Sequence, residues 1–138
     1  MKLLLILASL AICSTVTKKT GSFASGLDGV WIPIRQELGG KPLPAAAFEK
    51  QKLTINDSMY TVVAESVDKG VIKFSDNKMD IYGREGVNAG KHFTAIYKLE
   101  GGLLTICYNL AGDSYPADFE TKSKPTLFLS VFKNEEAK

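Results

Sequence analysis

The sequence predicts an all-β domain whose strands close on themselves. Three observations carry this prediction. First, from Gly29 onward the chain divides into about eight short runs in which apolar residues recur at every second position, the period of a half-buried strand. Second, clusters of Asn, Asp, Ser and Gly separate the runs and supply turn chemistry. Third, only Pro44 to Glu49 offers a helical turn, with proline tolerated at its first position. Sequential antiparallel strands with one apolar face must bury that face, and a closed barrel or a sandwich does so economically. Closure also removes the exposed edges that promote aggregation. Eight strands close into a barrel whose interior is either filled by side chains or holds one small ligand.

The chain begins with a leader of distinct character. Met1-Lys2 gives a positive start, and Leu3 to Ile12 is apolar apart from Ser9. That run is too short to span a bilayer, which needs roughly 20 apolar residues, and it has the length of a signal-peptide core. Ser22 and Ala24 satisfy the small-x-small preference for cleavage after Ala24, so residues 1–24 read as a signal peptide. A cut near Ser14 and a retained N-terminal anchor are the alternatives. Cys13 stands where a bacterial lipoprotein cysteine would, but Ile12 precedes it where Gly, Ala or Ser is usual, which argues against lipidation. Lys18 to Leu27 is rich in Thr, Ser and Gly, and residues 25–28 read as a short linker.

Strand character starts at Gly29 and runs to about Glu37, carrying Trp31, the single tryptophan. Gly39-Gly40 stops it, and Pro42 and Pro44 keep the next connection out of a sheet interior. Gln51 to Asn56 alternates, with Leu53 and Ile55 on one face. Asn56-Asp57-Ser58 turns the chain into Met59 to Ser66, where Tyr60, Val62 and Ala64 share a side. Val67-Asp68-Lys69-Gly70 reads as a turn into Val71 to Ser75, with Ile72 and Phe74 in phase. Asp76-Asn77-Lys78 is the next turn, followed by Met79 and Ile81 on one face. Gly83 to Gly90 is a polar loop. Lys91 to Leu99 places Phe93, Ala95, Tyr97 and Leu99 in phase, and Glu100-Gly101-Gly102 is a hairpin signal. Leu103 to Leu110 returns with Leu104, Ile106 and Tyr108 in phase. Ala111 to Pro125 is a long polar loop that Tyr115, Pro116 and Phe119 are expected to pack down. Thr126 to Lys133 is the final strand. The barrel domain is thus expected over 29–134, with a charged tail at 135–138.

Composition narrows the function classes. The chain is 45% hydrophobic and 23% charged, ordinary for a globular protein. Its net charge is +2, but three of the 17 basic residues, Lys2, Lys18 and Lys19, lie in the leader, leaving 14 against 15 acidic residues. A near-neutral domain has no electrostatic footprint for nucleic acid. His92 is the only histidine and reads as a surface or strand-end residue. Asp76, Asp80, Glu85, Asp113 and Asp118 occur singly, without the spacing of a calcium loop. No Gly-x-Ser-x-Gly elbow occurs. Once the leader is removed Cys107 is alone, so no internal disulfide forms. Between Ile106 and Tyr108, with no flanking His or Lys to lower its pKa, it reads as a small buried residue rather than a reactive thiol. The sequence therefore offers no catalytic residue, no metal set and no cofactor.

Several motifs together carry a family resemblance. Gly29-Val30-Trp31 is similar to the Gly-x-Trp signature on the first strand of lipocalins and other calycins. Glu37-Leu38-Gly39-Gly40-Lys41-Pro42-Leu43-Pro44 follows it. Leu53-Thr54-Ile55 with Tyr60-Thr61-Val62 forms one hairpin pattern. Ile96-Tyr97-Lys98-Leu99-Glu100-Gly101 with Leu104-Thr105-Ile106-Cys107-Tyr108 forms another, and Pro116-Ala117-Asp118-Phe119-Glu120-Thr121-Lys122 precedes the last strand. In this order, across nearly the whole domain, the chain resembles a bacterial, planctomycete-type family of small exported lipocalin-like domains. The resemblance implies an eight-stranded antiparallel up-and-down barrel and no activity. It departs at Tyr115, where that family usually carries Arg.

The physical reading of the signature is a stopper. Trp31 is large enough to plug one end of a small barrel, its N–H needs a partner, and Gly29 permits a tight entry beside it. Tyr60, Val62, Ile72, Phe74, Ile81, Phe93, Tyr97, Leu104, Ile106 and Tyr108 would face inward. They form either an apolar pocket with three phenol hydroxyls to orient a ligand or a fully packed core. The leading expectation is a non-enzymatic secreted or periplasmic barrel that binds a small hydrophobic molecule. Membrane contact would come only through the leader or Cys13. The alternative is an envelope module with a packed core that binds a protein or polysaccharide through the 83–90 and 111–125 loops.

Overall fold

The computed structural model describes residues 26–136. The signal peptide assigned to 1–24 and Cys13 lie outside the described residues. Nine strands are present: β1 Gly29–Leu38, β2 Lys41–Pro42, β3 Lys52–Asn56, β4 Met59–Val63, β5 Val67–Ser75, β6 Lys78–Glu85, β7 His92–Glu100, β8 Leu103–Asn109 and β9 Leu127–Asn134. The helical turn expected near Pro44 is a 3-10 turn over Ala45–Ala47. From β3 to β9 each strand pairs antiparallel with the next, and β9 returns to β1 along Trp31 to Leu38. The result is a closed up-and-down barrel of β1 and β3–β9. The two residues of β2 fold back on the end of β1, outside the ring. β1 divides its partners: Gly29 to Trp31 pair with β3, and Trp31 to Leu38 with β9.

One irregularity sets what β1 presents to the interior. A bulge falls between Pro33 and Arg35 in the pairing with β9, and the extra residue, Ile34, is exposed. Strict alternation from Trp31 and Pro33 would carry Arg35 inward. The bulge shifts the phase, so Gln36 is buried instead and Arg35 stays outside.

Two apolar layers result. The inner one gathers Leu27, Trp31, Leu53, Ile55, Met79, Ile81, Ala95, Leu104, Ile106 and Phe132 inside the ring. The outer one covers the outward faces of β7–β9: Ile96, Cys107, Leu127 and Leu129 are buried there with Phe119 and Val131 packed on them. Phe119 belongs to the β8–β9 connection, which lies along the wall as a strap. The strap is pinned at Thr121, whose hydroxyl donates to Glu37 Oε1 at 2.7 Å and accepts the Gly40 N–H at 2.9 Å. Gly40 has φ +82°, and a Cβ there would stand 2.8 Å from the Lys122 Cα, so this crossing requires glycine.

Some local expectations are corrected. Val67 to Gly70, read as a turn, is the first half of β5, and the reversal lies at Ala64 to Ser66, where the Ala64 N–H donates to the Ser66 carbonyl. Asp68 and Gly70 look like turn residues locally, but they continue the inward phase of Ile72. β4 accordingly ends at Val63, leaving Ala64 exposed outside the sheet. β6 runs to Glu85, into the expected polar loop. Leu99, although in phase with Tyr97, is 45% exposed beyond the barrel end. Leu27, assigned to a linker from its polar surroundings, is fully buried.

Candidate functional site

The two ends of the barrel differ. At one end lie the start of β1 and the β3–β4, β5–β6 and β7–β8 turns. There Trp31 is 3% exposed and its indole N–H donates to the Leu27 carbonyl at 2.8 Å. That bond satisfies the ring's one polar atom and brings Leu27 over it. The other end is ringed by the β4–β5 turn and the β6–β7 and β8–β9 connections. Val63, Val67, Val87 and Leu110 leave apolar surface around it.

Toward that second end the interior is hollow, with a cavity of about 190 Å³. Of the inward set expected from the sequence, Tyr60, Val62, Ile72, Ile81, Phe93, Ile106 and Tyr108 line it. Leu104, Phe74 and Tyr97 do not. Leu104 is fully buried in the packed layer near Trp31. Phe74 and Tyr97 meet edge to face, 5.9 Å between centroids, and the Tyr97 hydroxyl donates to the Asp76 carbonyl at 3.0 Å. Two of the three expected phenols therefore reach the cavity, and the third belongs to the stoppered half. The physical reason is position along the strand: residues in phase share a face, but their height sets which half of the barrel they occupy.

Burial desolvates both phenols in the cavity, Tyr108 more than Tyr60. Burial raises the Tyr108 pKa, and the neighbouring Tyr60 adds to it. Burial also raises that of Tyr60, with the Asp68 charge second. Both hydroxyls therefore stay protonated at neutral pH and can donate or accept. Tyr60 lies across from Gly70, where a Cβ would stand 2.6 Å from its ring and 2.7 Å from its hydroxyl oxygen. Glycine at 70 is what lets the ring lie against β5.

Six polar lining residues stand outside the inward set expected from the sequence: Gln36, Gln51, Lys52, Asp68, Asn88 and Ser130. Gln36, 4% exposed, donates from Nε2 to Gln51 Oε1 at 3.0 Å and to Ser130 Oγ at 3.1 Å. Gln51 in turn donates to the Ala47 carbonyl, which ties the 3-10 turn to the cavity rim. Asp68 Oδ1 accepts the Asn88 N–H at 3.1 Å from the β6–β7 connection. No local signal reveals the bulge that turns Gln36 inward. Asp68 was legible, because positions 68, 70 and 72 keep a period of two.

Residues read as isolated meet on the outer wall. His92 Nε2 lies 2.8 Å from Asp80 Oδ1, and the Tyr115 hydroxyl donates to Asp80 Oδ2. His92 stacks on Tyr82, 4.6 Å between centroids. Lys73 and Arg84 lie over the Tyr82 ring, and Lys78 over that of Tyr115. The Tyr115 hydrogen bond, followed by that of His92, holds the Asp80 carboxyl below its ordinary range despite some desolvation. These residues alternate with inward neighbours Met79, Ile81 and Phe93, so the barrel wall separates them from the cavity.

Cys107 is buried under the strap, and burial pushes its thiol up to about 11, the opposite of an activated nucleophile. A second hollow, about 370 Å³, lies between strap and wall, but polar groups such as Arg35, Glu37, Lys98 and Lys122 dominate its lining. Arg35 and Glu37 are already paired at 2.7 Å. Among the described residues, no group of three or more His, Cys, Asp or Glu side chains is placed to hold a metal ion. Compared with family models, curated proteins and solved structures, the chain matches none.

Proposed function

We propose that this protein is an exported, non-enzymatic lipocalin-like barrel that binds one small, mainly apolar molecule in its interior. The observation that carries this reading is the 190 Å³ cavity, lined chiefly by apolar and aromatic side chains with a few convergent polar groups. Its size limits the occupant. An apolar cavity of about 150 Å³ accepts benzene, whereas pockets for drug-sized ligands begin near 300 Å³. By proportion the occupant has roughly eight non-hydrogen atoms, such as a single ring with a short substituent. A long-chain lipid would be enclosed only in part. At roughly 0.5–1 kcal/mol per atom, the dissociation constant falls between about millimolar and micromolar.

Export is supported by the leader sequence. The non-enzymatic reading is supported by the separation of His92 and Cys107 from the cavity, which leaves its lining without an imidazole or a thiol. The loop-docking alternative has less behind it. The 111–125 segment directs Phe119 and Thr121 onto the wall, and Tyr115 is bonded to Asp80.

Calorimetric titration with ethylbenzene tests the reading, with Val62→Phe as the cavity-filling variant. Wild type should bind one equivalent. Val62→Phe should bind at least about tenfold more weakly while keeping a cooperative melt. Native mass spectrometry of protein purified from its own cells should show one small molecule bound. No saturable binding, together with no co-purified molecule, would overturn the proposal.

A further inference from the structure

The cavity lining includes one carboxylate side chain, that of Asp68. Asp68 is 9% exposed, projects inward with Gly70 and Ile72, and lines the hollow. Its one described hydrogen bond comes from the Asn88 N–H. Among the described residues it has no ion-pair partner. The lysine that reaches the lining, Lys52, is paired with Glu135. Aspartate is almost never buried unless paired, because an uncompensated charge is costly to desolvate. Tyr60 neighbours it, and Phe93, Tyr108 and Phe128 line the same cavity with aromatic rings, whose faces attract cations. An inward carboxylate beside an aromatic wall repels an anion and suits an ammonium group.

Resting on the pocket reading above, we infer that the ligand class is a small cationic amine, its ring or alkyl body in the apolar hollow and its ammonium against Asp68. Gln36 and Ser130, hydrogen-bonded to each other, lie elsewhere in the same lining. The competing role for Asp68 is structural, holding the β6–β7 connection through Asn88. Asp68→Asn separates the two, since the amide keeps the oxygen acceptor and removes the charge.

The test uses probes of nearly matched shape at neutral pH: benzylamine, ethylbenzene and benzoate, each titrated into wild type and Asp68→Asn. Benzylamine should bind wild type about tenfold to a hundredfold more tightly than ethylbenzene, the worth of a charge-assisted contact. Benzoate should be the weakest of the three. Asp68→Asn should erase the amine advantage, so that benzylamine and ethylbenzene bind the variant within about threefold of each other, with a cooperative melt to certify its fold. If ethylbenzene binds but benzylamine binds no better, or keeps its advantage in Asp68→Asn, the amine assignment is overturned and the pocket reading survives. If none of the three binds wild type, both fall.

Discussion

Trp31 joins two contributions in one residue. The ring fills the narrow end of the barrel, and its N–H satisfies the carbonyl of Leu27, which is itself fully buried. The two contributions separate by substitution. Trp31→Ala removes the ring and leaves a cavity, costing roughly 3–5 kcal/mol. Trp31→Phe keeps most of the volume but strands the buried carbonyl, costing about 1–3 kcal/mol. Urea unfolding followed by far-ultraviolet dichroism should rank wild type above Phe and Phe above Ala. Phe indistinguishable from wild type would mean that the indole bond adds nothing. The stopper role was legible from a lone tryptophan beside Gly29 at the head of the first strand. Its partner was not, because Leu27 sits in a Thr/Ser/Gly-rich stretch where nothing local marks a core residue. Gln36 was hidden for another reason: it faces inward only because Ile34 is an unpaired extra residue, and a bulge leaves no trace in the alternation of β1.

Among the elements, the β8–β9 strap departs most from a simple meander. It covers Cys107, Ile96 and Leu129, and it is tied down at Thr121 and at Tyr115. The Tyr115–Asp80 tie has a defined pH window. The Asp80 carboxyl is held below its ordinary value, so its contribution is present above about pH 3.9 and is lost as pH falls through the depressed folded value. The hydrogen bond to Asp80 raises the Tyr115 pKa, so that contribution is complete below about pH 10 and is lost as pH rises through the raised folded value. Tyr115→Phe should therefore lower the melting midpoint by ~1–3 °C between pH 5 and 8. The gap to wild type should close at both acid and alkaline extremes. A gap independent of pH would exclude Asp80 as the partner. The sequence suggested that this loop packs down, from Tyr115, Pro116 and Phe119. It did not show against what, since Asp80 and His92 stand on different strands and meet only through the β6–β7 pairing. The same limit explains the misread Val67 to Gly70: turn chemistry is local, whereas the Tyr60 ring that occupies the space at Gly70 comes from the neighbouring strand.

At the scale of the molecule, closure through β1 and β9 produces a barrel that is solid at one end and hollow at the other. The eight-stranded architecture was legible because period-two alternation and turn clusters repeat along the chain. The division into halves was not, because alternation states which face a residue joins and not how far along the axis it sits. This asymmetry predicts an asymmetric resistance to opening. Near Trp31, Leu104 is fully buried on β8, and Phe74 and Tyr97 pack edge to face between β5 and β7, away from the cavity lining. At the other end the β4–β5 hairpin faces the cavity with Val62 and Asp68, and its tip residues Val63 and Val67 are exposed. A segment with solvent on one side and a void on the other has fewer contacts to break, so its amides open locally rather than with the whole barrel. Hydrogen exchange should therefore be at least about tenfold faster over 60–63 and 67–70 than over 96–98 and 103–105. A ligand added at about 100 times its dissociation constant stabilises the closed state by about 2.7 kcal/mol, enough to slow the hairpin about a hundredfold. The amides near Trp31, already limited by global unfolding, would slow only to the extent that the whole barrel is stabilised. Uniform protection in the unliganded protein would contradict a hollow half. Slowing by ethylbenzene that spares the β4–β5 hairpin would place the ligand somewhere other than the barrel interior.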